Sequence, residues 1–411
     1  MTLNTIITVG AGQTAAVAAR TLRRRGFDGE IILIGDEPHA PYQRPPLSKE
    51  FLAGEADPES LMLLPEAWRQ KQEVELLTGA AVNRIDSNAA AVELSDGRSV
   101  AADAVLIATG GRPRTMPVTG SSPERVHYLR TMDDAERLAA QLRPSTRLVL
   151  IGGGFVGLEI ASTAKALGAE VTVLEADEVP LARILGPEMG DVCTRMQLDN
   201  GVAVRGGVRV GAVATRPDDV LVTLDSGDVI SAEVVVVGIG IIPNDEVARA
   251  SGLDVGDGIL VNAQGQTAIP QVFAAGDVAA RFSDSAGRHV RVEHFDNASK
   301  QGAATANLML GRVGVVDSAH WFWSDQFGKN LQFVGSARYT ELALRGSVEG
   351  GEFTAFYLDN GIVRGAFALD RGEDIGAARE LIGTSIEPAR LADESTDLYD
   401  LLDEDEELVT A

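Results

Sequence analysis

A short apolar run, a glycine-rich turn, an amphipathic segment and a second apolar run open the chain. Ile6–Val9 is typical of a buried β-strand, and residues 13–25 place Leu22 and several alanines on one helical face. Gly26 follows as a helix-ending glycine, and Ile31–Ile34 predicts the next strand. This pattern predicts a strand–turn–helix–strand unit.

The same pattern returns 142 residues later, counted from Gly10 to Gly152. Leu148–Ile151 is strand-like, residues 158–167 suit a helix, and Val171–Leu174 is strand-like again. A single copy at this distance is not the short period of a solenoid. The chain therefore contains two complete βαβ units.

Three later segments also have recognisable hydrophobic patterns. Ala104–Ala108 and Val234–Val237 are continuous apolar runs that lead into glycines, which is typical of buried parallel strands. From about His320 aromatic residues cluster and polarity alternates, and Asp359-Asn360-Gly361 predicts a hairpin turn. We expect an α/β fold with two Rossmann-like domains and a third domain of α+β type.

Composition narrows the class of protein. The 411 residues are 45% apolar and 23% charged, as in ordinary globular chains, and the net charge is −24. Such an acidic chain is repelled by nucleic-acid phosphates and by anionic membranes. The start of the chain shows no targeting pattern, and the longest apolar run, Val234–Ile242, is too short to cross a bilayer, so we expect a cytoplasmic protein.

The end of the chain is strongly acidic. Residues 393–407 carry nine acids and no base, which predicts a solvated, partly disordered tail.

The first glycine turn has the pattern of a dinucleotide fingerprint, Gly10-x-Gly12-x-x-Ala15. The first glycine permits the tight turn, the second admits a pyrophosphate to the backbone, and the small third residue allows close helix–strand packing. Asp36 or Glu37, after the second strand, can accept hydrogen bonds from ribose hydroxyls.

The second fingerprint, Gly152-x-Gly154-x-x-Gly157, is complete and is followed by Glu175. A carboxylate at this position binds the ribose 2′-hydroxyl of NAD and repels a 2′-phosphate. The next arginine after Glu175 is Arg183, so we expect NADH and not NADPH.

Two dinucleotide sites in one chain indicate two cofactors, most commonly a bound flavin and an exchanging nicotinamide. Asp277, in Ala275-Gly276-Asp277 after an apolar run, can bind a ribityl hydroxyl and assigns the flavin to the first site.

Seven segments of the chain together match one family. They are VGAGQTAA at 9–16, IGDEPHAPYQRPPLSK at 34–49, ATGGRPR at 108–114, IGGGFVGLE at 151–159, VGIGIIPN at 237–244, AAGDVA at 274–279 and WFWSDQ at 321–326. In these segments the chain resembles the FAD-dependent, NADH-linked ferredoxin reductases of bacterial oxygenase systems. PPLSK and WFWSDQ are the most specific of these.

The resemblance implies a glutathione-reductase-like arrangement of three domains. The expected limits are an FAD domain at 1–113 and 244–318, an NAD domain at 114–243, and a C-terminal α+β domain at 319–411. It also implies contact residues for both cofactors. Those expected for FAD are Gly10, Gly12, Thr14, Ala15, Asp36, Glu37, Arg44, Lys49, Val82, Arg130, Asp277, His294 and Phe295. Those expected for NADH are Gly152, Gly154, Phe155, Gly157, Glu159, Glu175 and Gly240.

The resemblance implies catalytic roles for Lys49, Glu159 and Trp323. Lys49 is expected near flavin N5, paired with Glu159, and Trp323 is expected to border the flavin ring on the ferredoxin side, with Trp321 as a second candidate. Phe155 either shields the flavin face or simply packs. His294, just before a helix expected near Asp296, is not needed as a base, because hydride transfer requires none.

The cysteine content distinguishes this chain from disulfide reductases of similar fold, which need a cysteine pair beside the flavin, in the region that matches residues 40–50 here. Residues 40–50 contain no cysteine, and Cys193, the only one in the chain, is expected to be structural in a helix. Disulfide exchange and a metal or iron–sulfur site in this chain are therefore not expected. Electrons should enter from NADH as a hydride to FAD and leave singly to a [2Fe–2S] ferredoxin.

The ferredoxin in turn would serve a cytochrome P450 or a ring-hydroxylating dioxygenase. Basic residues that could dock an acidic ferredoxin are Arg291, Lys300, Arg312, Lys329 and Arg338. We expect a monomer or weak dimer with no nucleic-acid or membrane partner. Two alternatives stay open: a rubredoxin reductase, or an NADH-responsive interaction protein similar to apoptosis-inducing factor.

Overall fold

The structure is a computed structural model, and it describes residues 3–86, 90–284, 286–314 and 319–402. The chain divides into two compact units. The first comprises Met1–Pro45, Asp57–Arg112 and Ile241–Asp317, and the second comprises Pro46–Ala56, Pro113–Gly240 and Ser318–Ala411.

The helices, in chain order, are α1 Gln13–Arg24, α2 Glu50–Ala53, α3 Glu66–Lys71, α4 Met132–Ala139, α5 Phe155–Ala166, α6 Ala182–Leu185, α7 Pro187–Asp199, α8 Glu246–Ala250, α9 Phe295–Met309, α10 Gly372–Leu381 and α11 Pro388–Ala392. Short 3₁₀ turns lie at Pro45–Ser48 and Pro123–Arg125.

The strands, in chain order, are β1 Thr5–Val9, β2 Glu30–Ile34, β3 Val74–Leu77, β4 Val82–Asp86, β5 Ala91–Leu94, β6 Ser99–Ala101, β7 Ala104–Ile107, β8 Gly111–Pro113, β9 Val118–Gly120, β10 Val126–His127, β11 Arg147–Ile151, β12 Glu170–Leu174, β13 Ala203–Arg205, β14 Val210–Thr215, β15 Val220–Leu224, β16 Val229–Ala232, β17 Val234–Val237, β18 Ile241–Pro243, β19 Val255–Gly256, β20 Gly258–Val261, β21 Val272–Ala274, β22 Ala279–Ser283, β23 Arg288–Arg291, β24 Trp321–Gln326, β25 Lys329–Gly335, β26 Glu341–Ser347, β27 Glu352–Asp359 and β28 Ile362–Leu369.

The first unit is built on a five-stranded parallel sheet in the order β21-β7-β1-β2-β3. Successive residues of β1 enter different cores: Ile6 packs with residues of α1 and α9, whereas Ile7 packs with β4, β5 and β20. Because both faces of the sheet are covered, its strands are continuously apolar and do not alternate.

The second unit repeats this sheet in the order β10-β17-β11-β12-β13, again all parallel. It also contains the antiparallel sheet β24-β25-β28-β27-β26, which is covered by α10 and α11. The hairpin between β27 and β28 turns at Asn360 and Gly361, which have φ angles of 53° and 78°. Two positive φ angles in a row are what a tight hairpin requires.

The predicted fold class is thus confirmed, with parallel sheets in both Rossmann-like regions and an α+β region after residue 320. The predicted domain limits stay a prediction. The start of α5 differs most from the prediction: the helix begins at Phe155 and not at Leu158, because the last fingerprint residues form its first turn.

Where the structure describes the acidic segment, a few of its residues attach it to the rest of the chain. Leu398 and Leu401 are buried against the C-terminal sheet and helices. The Arg345 guanidinium donates hydrogen bonds to the backbone carbonyls of Asp393, Glu394 and Thr396. These contacts anchor residues 393–402, while the acids of the segment, Asp393, Glu394, Asp397 and Asp400, are exposed as predicted; residues 403–407 lie outside the described residues.

Candidate functional site

The two fingerprints have the same backbone geometry. Gly10 has a φ angle of +105°, and a Cβ atom there would lie 2.3 Å from the carbonyl oxygen of Ala108. Gly152 has a φ angle of +109°, and its Cβ would lie 2.2 Å from the carbonyl oxygen of Gly238. A side chain is excluded at both positions, since the turn approaches the end of the neighbouring strand.

The second position of each fingerprint fits a bound dinucleotide. A Cβ atom on Gly12 or Gly154 would meet no atom within 4 Å, so open space lies beside each turn. Gly12 and Gly154 precede α1 and α5, and neither helix has a side-chain cap. Uncapped N–H groups beside open space suit a pyrophosphate.

The small third residue of each fingerprint acts in packing, as predicted. Ala15 is fully buried against the sheet. A Cβ atom on Gly157 would lie 2.4 Å from the carbonyl oxygen of Gly152, so only glycine allows α5 to approach its turn so closely.

Glu175 lies beside the second fingerprint. Its Oε2 accepts a hydrogen bond from the backbone N–H of Gly153 at 2.6 Å, and its Oε1 accepts one from Asp177 N at 2.9 Å. The carboxylate is thereby fixed next to the glycine turn, the position expected of an acid that binds a ribose hydroxyl. Arg183 pairs with Asp177 at 2.7 Å.

In the first unit, residues from separate motifs gather around Arg44. Its Nη2 lies 2.5 Å from Glu37 Oε1, and its Nη1 donates to the Tyr42 hydroxyl at 3.0 Å. Burial alone would lower the pKa of the Arg44 guanidinium, but Tyr42, Glu37 and Asp277 together raise it. Arg44 thus stays charged near two predicted FAD contacts, Glu37 and Asp277.

The remaining predicted FAD contacts are distributed over both units. Asp36 is exposed, Val82 begins β4, and the Thr14 hydroxyl donates to the carbonyl of Ala298. His294 and Phe295 stand at the start of α9, one residue before the predicted start. Their contact with FAD stays a prediction.

Two further predicted contacts lie in the second unit. The backbone N–H of Arg130 donates to the Asp134 carboxylate beside the capped start of α4. The carbonyl of Gly240 accepts a hydrogen bond from the backbone N–H of Arg114. Their cofactor contacts also stay predictions.

Lys49 and Glu159 form a buried ion pair in the second unit. Lys49 Nζ lies 2.9 Å from Glu159 Oε2, and the two side chains are 11% and 6% exposed. The predicted pairing of Lys49 with Glu159 is therefore present, and both side chains are largely buried. Both charges are compensated although they are removed from water.

Two serines that the sequence did not single out complete the environment of Glu159. Ser48 Oγ donates to Glu159 Oε2 at 2.5 Å, and Ser324 Oγ donates to Oε1 at 2.6 Å. Both serines lie within the most specific motifs, PPLSK and WFWSDQ, which was the available signal.

Strand β24 presents aromatic side chains on both faces. Trp321 and Trp323 stack with ring centroids 5.3 Å apart, and the guanidinium of Arg379 lies 5.9 Å from the Trp321 ring centroid. Phe322, which points the opposite way, contacts Phe155 edge to face at 4.8 Å. Phe155 therefore packs on the aromatic strand, and its shielding of a flavin stays a prediction.

The residues considered for a ferredoxin dock mostly carry compensated charge. Ion pairs join Arg291 to Asp257 and Glu293, Lys300 to Asp296, Lys329 to Asp370 and Arg338 to Asp359. Arg312 donates to the carbonyl of Arg25. Four of these five cations therefore have a carboxylate partner, and their role in docking a ferredoxin stays a prediction.

Cys193 is 1% exposed within α7, and burial raises the pKa of its thiol to about 12. A thiol in this state is not a nucleophile near neutral pH. In the described part of the chain, no helix is long and apolar enough to cross a membrane, and no cluster of three metal-ligating side chains occurs.

Comparison with known proteins gives consistent matches. A family model described as pyridine nucleotide-disulphide oxidoreductase matches residues 4–302, and one described as reductase C-terminal matches residues 321–402. Rhodocoxin reductase of Rhodococcus erythropolis is 39% identical over 397 residues, which is 96% of this chain and 93% of that protein.

Two further matches cover nearly the whole chain. The ferredoxin–NAD(+) reductase component of the anthranilate 1,2-dioxygenase system of Burkholderia cepacia is 39% identical over 98% of this chain and 100% of that protein. A chain in the crystal structure of the covalent putidaredoxin reductase–putidaredoxin complex has a TM-score of 0.93 and 36% identity, over 98% of this chain and 99% of that chain.

Proposed function

The chain belongs to the pyridine nucleotide-disulphide oxidoreductase family, and we propose that it is an FAD-dependent NADH:ferredoxin oxidoreductase. It takes a hydride from NADH and delivers electrons one at a time to a [2Fe–2S] ferredoxin that serves a cytochrome P450 or a ring-hydroxylating dioxygenase. Relatives named as ferredoxin–NAD(+) reductase and rhodocoxin reductase support this assignment.

One structural observation carries the proposal: the glycine turn of a dinucleotide fingerprint occurs twice, at Gly10 and at Gly152, in a chain whose only cysteine is buried. Two such turns fit two cofactors. A single buried thiol provides no dithiol through which electrons could leave. The activity therefore differs from the disulfide reduction for which the family is named.

The residues present fit FAD in the first unit and NADH in the second. Gly10, Gly12 and the start of α1 would hold one pyrophosphate, with Arg44 and Asp277 as polar contacts. Bound FAD supplies the conversion between a two-electron donor and a one-electron acceptor.

In the second unit, Gly152, Gly154 and the start of α5 would hold the NADH pyrophosphate, and Glu175 would accept from the ribose 2′-hydroxyl. The Lys49–Glu159 pair holds a cation in a buried position, where it can stabilise negative charge that develops during hydride transfer. Trp323, stacked on Trp321, is the proposed contact on the ferredoxin side.

The partner surface is proposed to rely on this tryptophan pair more than on a basic patch, since four of the five candidate bases are ion-paired. We also propose that the protein acts in the cytoplasm, where its unpaired thiol matches a reducing environment.

Stopped-flow absorbance tests the proposal. The purified holoprotein is mixed with NADH, and a plant-type [2Fe–2S] ferredoxin is added in a second mixing step. We expect rapid bleaching of the flavin and rapid reoxidation by the ferredoxin. Reoxidation by rubredoxin alone would favour the rubredoxin reductase alternative. Slow bleaching to a long-lived reduced state that neither carrier reoxidises would favour the interaction protein.

A further inference from the structure

A chain of buried amide and hydroxyl groups leads from helix α7 to the Glu159 carboxylate. Gln197 Nε2 donates to Gln326 Oε1 at 2.8 Å, and Gln326 Nε2 donates to Ser324 Oγ at 3.0 Å. Ser324 Oγ then donates to Glu159 Oε1 at 2.6 Å. Gln197 and Ser324 are fully buried, and Gln326 is 1% exposed.

The direction of every hydrogen bond in this chain is fixed by its last member. A carboxylate only accepts, so the Ser324 hydroxyl must donate to Glu159. The hydroxyl has one proton, so Gln326 must present its NH₂ group to Ser324 and its carbonyl to Gln197. The NH₂ group of Gln197 also faces a second acceptor, the carbonyl of Leu158 at 3.4 Å.

The chain reaches Glu159 on the side opposite the lysine. Lys49 and Ser48 occupy Oε2, and Ser324 occupies Oε1. Because these groups are buried away from bulk solvent, each donor constrains the orientation of the carboxylate, and aligned hydrogen bonds strengthen one another.

We propose that Ser324, Gln326 and Gln197 form a hydrogen-bond relay of positioning residues, which holds the Glu159 carboxylate and, through it, the Lys49 ammonium. This inference rests on the proposed function, because it assigns the relay a purpose in hydride transfer from NADH. The relay residues act through Glu159 and do not themselves contact the reacting groups.

The local architecture explains how the relay is built. On α5, Phe155 and Glu159 are four residues apart and lie on one helical face. On β24, Phe322, Ser324 and Gln326 alternate with Trp321 and Trp323 and point to the opposite face of the strand. The strand thus places the relay on one face and the stacked tryptophans on the other.

A double-mutant cycle in the holoprotein tests the proposal. The variants are Ser324→Ala, Glu159→Gln and the two combined, and the readouts are the stopped-flow rate of flavin reduction by NADH and the flavin midpoint potential. We expect Ser324→Ala to slow reduction about tenfold, because a misplaced charged group loses part of its orientation advantage. We also expect a more negative midpoint potential, because Lys49 is less firmly held.

The decisive expectation concerns the combined variant. If Ser324 acts through Glu159, Ser324→Ala has little further effect on the rate or the potential in the Glu159→Gln background. Additive effects would overturn the proposal, since they would indicate a general structural role.

Ser162→Ala is the matched control. Ser162 is a buried hydroxyl on the same helix, it accepts a hydrogen bond from the backbone N–H of Phe327 next to the same strand, and it is not among the hydrogen-bond partners of the Glu159 carboxylate. We expect it to leave the midpoint potential unchanged. Equal shifts in Ser162→Ala and Ser324→Ala would overturn the proposal.

A second substitution covers a failure of Ser324→Ala to fold. Gln197→Met removes the far end of the relay while keeping the side-chain length, and we expect about a threefold slower reduction that vanishes in the Glu159→Gln background. An unchanged rate of flavin reduction in Gln197→Met would then overturn the proposed relay.

If the wild-type protein is not reduced by NADH, the proposed function fails, and this inference with it. Normal wild-type reduction with no Ser324 effect overturns the inference alone.

Discussion

Lys49 and Glu159 form an ion pair with 2.9 Å between Nζ and Oε2, although they are 110 positions apart in the sequence. Ser48 and Ser324 donate two more hydrogen bonds to the same carboxylate. A buried charge held by three donors costs more to disrupt than a surface pair, because the remaining partner stays out of water.

Removal of the lysine should therefore reduce stability. We expect Lys49→Met to lower the free energy of unfolding by about 2–4 kcal/mol, since Glu159 is left buried without its counter-charge. Denaturant titration of the holoprotein measures this loss. The double variant Lys49→Met/Glu159→Gln should lose less than the single variant. An equal loss in both would contradict the importance of the pair.

Glu175 should decide between the two nicotinamide cofactors. We expect Glu175→Gln to lower kcat/KM for NADH about tenfold, because the ribose 2′-hydroxyl loses a charged acceptor. The ratio of kcat/KM for NADH to that for NADPH should therefore fall. Steady-state kinetics with both cofactors provide the measurement. Asp177→Asn removes the same charge two residues away and serves as the control. A matching loss in both variants would mean that only the local charge matters.

Trp323 should affect the ferredoxin step and not the NADH step. We expect Trp323→Ala to raise the KM for ferredoxin at least about tenfold, as the loss of an aromatic interface residue commonly does. Flavin reduction by NADH, followed by stopped flow, should keep its wild-type rate. Trp68→Ala, in α3 of the first unit, is the matched control. Equal effects of the two substitutions on ferredoxin KM would count against the proposed contact.

Ionisation of Cys193 should lower the free energy of unfolding at alkaline pH. Burial raises the pKa of its thiol from 9.0 to about 12. Between these values the unfolded chain releases the proton while the folded chain keeps it, so the free energy of unfolding falls as pH rises above 9. Urea titrations from about pH 8 to about pH 11 should therefore show a steeper decline for the wild type than for Cys193→Ala.

The same cysteine offers a functional control. Cys193→Ala should retain NADH-linked ferredoxin reduction, because no dithiol takes part in the proposed electron route. Loss of ferredoxin reduction in a folded Cys193→Ala protein would require a thiol in the mechanism.

The sequence was sufficient for the two dinucleotide cradles. Gly10 and Gly152 stand at turns whose strands and helices are contiguous in the chain, so their pattern is local and readable. Glu175 could be identified from the sequence for the same reason, because it follows its strand directly. A dithiol was excluded by counting alone, since Cys193 has no second cysteine with which to pair.

The relay to Glu159 could not be predicted in this way. Ser324, Gln326 and Gln197 come from a strand and a helix that are far apart in sequence, and no local pattern indicates that they meet. The anchoring of the acidic segment was missed for a related reason. Its charge dominates the composition, whereas its attachment depends on the burial of Leu398 and Leu401 and on the carbonyl contacts of Arg345.

The sequence by itself thus determined the glycine turns, the order of strands and helices within the two βαβ units, and the class of cofactors, because these depend on contiguous residues. The tertiary structure decided which side chains surround the Glu159 carboxylate and Arg44, because hydrogen-bond and ion-pair partners of a buried charge are chosen by segments that meet only after folding.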